Sequence, residues 1–205
     1  MAIAGALAAA AAVALVIWVF FGPSTEQQSV IEELATISRD PAGDLVVATV
    51  NGEPILRRSV LIMEAVGALG PRDQAGEARA PQTREEALQK NIEQVLFAQA
   101  ALREGITVTE DEVSQTIFAG LTSHLQDPES QVADVLRATL LALRVPEAQA
   151  ATHPVIRIVY ARFVLAGRFG SAHPDLTYEQ RVELAKKDAV IVIVPGALDD
   201  APRPK

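Results

Sequence analysis

The longest hydrophobic run of the chain lies at its N-terminus. From Ala2 to Phe21 every residue except Gly5 is apolar. A helix of about 20 residues rises about 30 Å, which matches the hydrocarbon thickness of a bilayer. The run ends in aromatic residues rather than in the small residues that precede a signal cleavage site. We therefore predict a transmembrane signal anchor over residues 1–22, with a cleaved signal peptide as the alternative.

The next segment, residues 23–44, is mostly polar. It carries one helical pattern, in which Val30, Leu34 and Ile37 repeat at helical spacing. It ends in the turn-rich sequence Asp40-Pro41-Ala42-Gly43-Asp44, which is typical of a domain boundary. We interpret residues 23–44 as a juxtamembrane stalk or linker.

Two β-branched runs lie at opposite ends of the remaining chain. The first, residues 45–50, stops at Asn51-Gly52, a dipeptide that favours the tight turn of a hairpin, and a short return strand follows over 53–56. The second run covers residues 189–194, and a strand this apolar needs cover on both faces. We predict that the two runs pair and close a domain over residues 45–196, leaving 197–205 as a disordered tail.

Helical patterns fill the space between the strands. They cover residues 57–69, 83–105, 109–121, 127–146, 152–169 and 177–187, and capping boxes begin at Thr83, Thr109 and Thr177. In the fifth of these helices, Val155, Ile158 and Val159 fall on the predicted core face, whereas Arg57-Arg58 are expected to form solvated ion pairs. The predicted fold is mainly α with a small antiparallel β-sheet, formed by an N-terminal hairpin and the C-terminal strand, and preceded by one transmembrane helix.

Composition and charge exclude several classes of function. The chain has 205 residues, no cysteine and a net charge of -8, so one core without disulfides is expected and nucleic acid is not an expected partner. His124, His153 and His173 are isolated, and the acidic clusters fall in first helical turns, where carboxylates stabilise the helix dipole. Phosphate loops and nucleophile elbows are missing from the sequence. We expect no enzyme activity, no metal and no cofactor.

Two motifs carry a resemblance to a known family. They are VATVNGEPI at residues 47–55 and QAALREGITVTEDEV at residues 99–113. In this order they resemble the N-terminal chaperone domain of the SurA, PrsA and PpiD family, over residues 45–121, and residues 175–195 are similar to the helix and strand that close that domain. Relatives commonly carry a parvulin-type prolyl isomerase domain of roughly 90 to 100 residues. The segments assigned above leave no space for one.

The resemblance implies a membrane-anchored extracytoplasmic chaperone, a holdase without an isomerase domain. It would sit in the cell membrane as a single-pass protein with its C-terminal domain outside the cytoplasm, and bind unfolded or exported polypeptides in an apolar cleft between helices. The candidate client contacts are Met63, Phe97, Phe118, Leu121 and Phe163. Two alternatives stay open, a structural or adaptor subunit that docks one defined protein partner and a peptidyl-prolyl isomerase relative. Exchange of the terminal strand between copies would give a homodimer.

Overall fold

The computed structural model describes residues 25–67, 69, 82–127, 130 and 132–199. The anchor predicted over residues 1–22 lies outside these residues. The described chain is mainly helical with one three-stranded antiparallel sheet, which confirms this part of the predicted fold. Within the described ranges, no helix is both long enough and apolar enough to cross a membrane.

The described elements follow one another in a single order along the chain. They are α1 (Thr25–Ser38), β1 (Val46–Val50), β2 (Glu53–Leu56), α2 (Arg57–Gly67), α3 (Arg84–Arg103), α4 (Glu110–Ile117), a π-helical turn (Phe118–Thr122), α5 (Ser123–Gln126), α6 (Ala133–Ala142), a 3-10 turn (Glu147–Gln149), α7 (Pro154–Ala172), α8 (Tyr178–Lys186) and β3 (Ile191–Ile193). The third predicted helix therefore continues past Ile117 through the π turn. The fourth begins at Ala133, later than the Asp127-Pro128 start that the sequence predicts.

The sheet joins the two ends of the predicted domain. Its strand order is β2-β1-β3, and β3 runs antiparallel to β1 with Val192 opposite Thr49. Asn51 and Gly52 have φ values of 50° and 82°, the left-handed conformation that this tight turn requires. The predicted pairing of the terminal strand with the hairpin is confirmed.

The sequence predicts that both faces of the terminal strand are buried, and the structure does not show this burial. β3 hydrogen-bonds to β1 on one side, and Val192 and Ile193 are both more than half exposed. Only Ile191 and the preceding Ala189 pack against the core next to the sheet. The expectation of burial on both faces was wrong because β3 lies at the edge of the sheet and mostly beyond the core.

The hydrophobic core consists of three clusters. The first joins the sheet to α3, the C-terminal half of α7 and α8, and Phe169 is its largest fully buried side chain. The second joins α1, α2 and α6. The third joins α4, the π turn, the end of α6 and the N-terminal half of α7. Helix α6 contributes side chains to the second and third clusters, and α7 contributes to the first and third. The three clusters therefore form one connected body.

Helix α1 is part of that body, although the sequence places it in a stalk. Val30, Leu34 and Ile37 are all buried in the second cluster, against α2 and α6. The weak helical pattern is therefore a core stripe, and the folded part of the chain includes α1 rather than beginning at residue 45.

Arg57 and Arg58 are buried, in contrast to the solvated pairs that the sequence suggests. The Nε of Arg57 lies 3.1 Å from the carboxylate of Asp40, and its Nη1 donates to the carbonyl of Ala197 at 3.0 Å. Arg58 lies 2.7 Å from Asp44, and burial lowers the pKa of its guanidinium. The Arg57 contact ties Ala197, the first residue of the predicted tail, to the beginning of α2, and residues 200–205 lie outside the described chain.

Candidate functional site

An aromatic cleft lies between α3, α7 and α8. Phe97 stacks on Phe169 with ring centroids 5.5 Å apart, and Tyr178 meets Phe97 edge-on at 5.9 Å. The cleft has a volume of about 170 Å³, and Ala166, Gly170 and Arg181 complete its lining. Typical ligand pockets start at about 300 Å³. This cleft is therefore large enough for a single side chain and too small for an extended polypeptide.

The polar groups at the rim of the cleft have partners. The hydroxyl of Tyr178 donates to the carboxylate of Glu93, and burial, followed by this hydrogen bond, raises the pKa of Tyr178 above its ordinary value. Arg181 donates to the carbonyl of Gly170 at 3.1 Å. A tyrosine held neutral and a paired arginine make a polar edge around an apolar floor. Such an edge suits packing better than acid–base chemistry.

A stripe of exposed apolar side chains runs along the N-terminal half of α7. Val155, Ile158 and Val159 are between 38% and 50% exposed and stand at helical spacing. Two ion pairs flank this α7 stripe, Arg157 with Glu110 and Arg162 with Glu53. The stripe is therefore an apolar surface bordered by charged side chains.

The α7 stripe corrects the core face that the sequence predicts. In the structure Ile156, Leu165 and Phe169 are buried, and the predicted core residues Val155, Ile158 and Val159 face outward. Helix α7 is apolar on nearly every side, so hydrophobic periodicity cannot select the buried face. The neighbouring α4 and π turn cover the Ile156 side, and that contact decides the orientation.

A second apolar surface is the terminal strand with its flanks. Val190, Val192, Ile193 and Val194 are 42% to 64% exposed. The side chains of Val190, Val192 and Val194 lie on one face of the outermost strand and that of Ile193 on the other, at the edge of the sheet that does not pair with β1. We refer to these four residues as the β3 strip.

The five side chains that the sequence nominates as client contacts are distributed over different parts of the fold. Phe97 lines the aromatic cleft, and Phe118, at the start of the π turn, is mostly exposed. Met63 and Phe163 are half-buried, and Met63 packs against the first cluster. Leu121 is fully buried in the third cluster, so it cannot reach a client in this structure. The residues of the α7 stripe were not among these nominated contacts, and their hydrophobicity is the only signal of the stripe in the sequence.

Residues suited to metal binding are not clustered in the described part of the chain. No group of three or more histidine, cysteine, aspartate or glutamate side chains there could hold a metal ion. Burial raises the pKa of Tyr160 to about 12, where its hydroxyl lies beside Gly120. A phenol with that pKa stays protonated at neutral pH.

The two sequence motifs meet in space at the hairpin. The side-chain amide of Asn51 donates to the side-chain carbonyl of Gln99 at 2.7 Å, and Gln99 in turn donates to the carbonyl of Val50 at 3.1 Å. The glutamine of the second motif therefore holds the turn of the first motif against α3. This contact gives a structural reason for the two motifs to occur together.

Residues 3–144 match the family model described as SurA-like N-terminal domain. The chain belongs to this family. The match extends from the apolar N-terminal run to the residues just after α6, and no parvulin domain is matched. No curated protein and no solved structure matches the chain. Membership of the SurA-like family associates the chain with protein folding, through a module that is not itself catalytic.

Proposed function

We propose that this SurA-like protein is a membrane-anchored extracytoplasmic holdase that binds unfolded or exported polypeptides without isomerising them. The observation that carries the proposal is the α7 stripe, a ready-made apolar surface on a member of a chaperone family. A holdase needs such a surface because it works by covering the apolar segments through which unfolded chains aggregate.

The size of the stripe suits reversible capture. The exposed fractions of Val155, Ile158 and Val159 correspond to roughly 250 Å² of apolar surface, which at about 25 cal/mol per Å² gains at most about 6 kcal/mol. Loss of translational and rotational freedom on association offsets several kcal/mol of this gain. The resulting affinity is weak for any one segment, as a chaperone that releases its clients requires.

The charge of the chain supports the same function. The net charge of -8 makes copies repel one another, so a loaded chaperone would stay soluble and separate from its neighbours. The apolar N-terminal run would hold the domain beside the membrane from which exported chains emerge. Mass analysis of the mature N-terminus tests this anchor, because removal of the run would show a cleaved signal peptide.

An aggregation assay tests the holdase function. The full chain in lipid nanodiscs should suppress light scattering by several unrelated unfolded proteins at comparable molar ratios. Ile158→Lys should weaken the suppression, because it places a charge in the centre of the α7 stripe. Leu102→Lys on α3 is the matched control, since Leu102 is also about half exposed but lies on another helix.

Binding and prolyl-exchange measurements on the same preparation separate the alternatives. Strong binding to one folded membrane protein, without suppression of aggregation, would show an adaptor subunit. Accelerated cis/trans exchange of a prolyl peptide would show an isomerase. Equal suppression by the Ile158→Lys variant and the wild type would remove the α7 stripe from the mechanism.

A further inference from the structure

The terminal strand uses one of its two backbone edges within the described chain. The N–H of Asn51 donates to the carbonyl of Val190 at 2.8 Å, and the N–H of Val194 donates to the carbonyl of Val47 at 2.9 Å. Backbone groups in an antiparallel strand alternate in direction from one residue to the next. The carbonyl of Val190, both backbone groups of Val192 and the N–H of Val194 therefore point toward β1, whereas the carbonyl of Val194 accepts from the N–H of Ala197.

By the same alternation, Ile191 and Ile193 direct their N–H and C=O groups away from β1. β3 is the last strand in the order β2-β1-β3, so no described strand pairs with those four groups. The two residues stand about 6.7 Å apart along the strand, which is the repeat at which a neighbouring strand offers its own donors and acceptors. The edge is a template for one more strand.

The two edges of this sheet differ in their protection. At the β2 edge, Pro54 lacks a backbone donor and Glu53 forms an ion pair with Arg162. Residues 189–194 contain neither proline nor a charged side chain. Because natural proteins protect edge strands with such residues, one protected edge and one open apolar edge in the same sheet indicate that the open edge has a partner.

The partner could be a second copy of the chain or a short unfolded segment. The exposed area of the β3 strip and the net charge of the chain decide between the two. The exposed part of the β3 strip, summed over both faces of the strand, amounts to roughly 400 Å², at most about half of the 800 Å² that each partner contributes to a stable protein–protein interface. Two copies of a chain with a net charge of -8 also repel each other. A second copy is therefore disfavoured, whereas a short unfolded segment needs only a small surface.

We infer that the open edge of β3 docks extended apolar segments of non-native polypeptides, which add to the sheet as a fourth strand. The inference rests on the proposed holdase function and specifies the class of client. Backbone hydrogen bonds to Ile191 and Ile193 bind any sequence that can extend, and the β3 strip favours β-branched side chains. The preferred client is a strand-forming segment without proline.

Peptide binding tests the edge directly. The probe is a fluorescent ten-residue peptide of alternating valine and threonine with lysine at both ends. The control has the same sequence with N-methyl groups on its four central residues, so that the central part of neither edge of the peptide can donate hydrogen bonds. The full chain in lipid nanodiscs should bind the unmodified peptide at least tenfold more tightly, because strand addition needs those donors. Empty nanodiscs give the background.

Substitution of Ile193 tests the same edge from the side of the protein. The N–H of Ile193 points away from β1, so Ile193→Pro removes a docking donor while leaving the hydrogen bonds to β1 in place. Ile193→Ala is the matched control, since it removes the side chain but keeps the N–H. Ile193→Pro should lose at least tenfold in peptide affinity and Ile193→Ala less than about threefold. Circular dichroism verifies that the variants fold. If Ile193→Pro does not fold, the difference in affinity between the unmodified and methylated peptides on the wild-type chain still tests strand addition.

The outcomes separate this inference from the holdase function. Suppression of aggregation with equal affinity for the two peptides would overturn strand addition and leave the holdase in place. A wild-type chain that suppresses no aggregation would overturn the holdase itself. A dimer in sedimentation that Ile193→Pro dissociates would show a second copy at the edge and overturn the client assignment.

Discussion

The buried ion pair between Asp40 and Arg57 gives the sharpest prediction about stability. Both side chains are nearly inaccessible to solvent, and the Asp40 carboxylate also accepts a hydrogen bond from the backbone N–H of Ala42 at 2.9 Å. Asp40→Asn keeps the shape of the side chain but removes its charge. Arg57 would then carry a buried positive charge without a counter-ion.

The magnitude follows from the remaining contacts of Arg57. Breaking a buried ion pair by removing one partner costs about 3 to 5 kcal/mol. Arg57 keeps its hydrogen bond to the carbonyl of Ala197, so the lower end of that range applies. We expect a loss of about 3 kcal/mol, which corresponds to a fall in Tm of roughly 6 to 12 °C for a protein of this size.

Urea unfolding of the full chain, followed by circular dichroism, measures this loss. Asp134→Asn is the control, because Asp134 pairs with Arg137 in an exposed position and should cost less than about 1 kcal/mol. The double variant Asp40→Asn/Arg57→Met should recover much of the loss, since it removes the stranded charge. If Asp40→Asn costs no more than Asp134→Asn, the pair does not stabilise the fold as argued.

Three further predictions concern α1 and the hairpin. Burial, then the charge of Glu64, raises the pKa of Glu33 to about 6, so the folded state favours its protonated form. Glu33→Gln should therefore add about 1 kcal/mol to the free energy of unfolding at pH 7, and this gain should disappear as the pH falls through 6 to below 4.5. Leu34→Ala should cost about 2 to 5 kcal/mol in urea unfolding, because the side chain is fully buried. Asn51→Ala should cost about 1 to 2 kcal/mol and speed hydrogen exchange of the Val190 amide, whose acceptor it removes.

Each of these predictions has a control on the same element. Glu32→Gln changes an exposed carboxylate one residue from Glu33 and should alter the free energy of unfolding at pH 7 by less than about 0.5 kcal/mol. Thr36→Ala is an exposed change on α1 and should stay within about 0.5 kcal/mol. Asn51→Gly keeps the left-handed turn while removing the side chain, so it separates backbone strain from the lost acceptor. A chain that tolerates Leu34→Ala as well as Thr36→Ala would show that α1 does not pack on the body.

Short sequence motifs predicted those elements that interactions between neighbouring residues determine. Asn51-Gly52 is recognisable because only a few residue types accept positive φ at both turn positions. Thr83, Thr109 and Thr177 each begin a helix with a reciprocal capping box in the structure, as the residue three positions later predicts. The pairing of β3 with β1 was also predictable, because the chain offered few other strand-forming runs.

Features that depend on distant contacts were not predictable in this way. A weak helical stripe in a polar segment is compatible with a solvated stalk and with a packed helix, and only the presence of α2 and α6 beside α1 decides between them. Arg57 and Arg58 sit at the start of a helix, where arginines are usually solvated. They are buried because Asp40 and Asp44 from the turn after α1, and the carbonyl of Ala197 near the end of the described chain, converge on them.

The candidate site illustrates the same limit for function. A helix that is apolar on nearly all sides, such as α7, has no periodicity that distinguishes a core face from a binding face. Its exposed stripe exists because α4 and the π turn cover the Ile156 side while nothing in the described chain covers the side of Ile158. An apolar side chain that stays half exposed after folding, such as that of Ile158, contributes less to stability than a buried one, and we propose that this face of α7 binds clients. Ile158→Lys should therefore cost binding but leave the free energy of unfolding within about 0.5 kcal/mol, and a larger loss of stability would place the residue in the core.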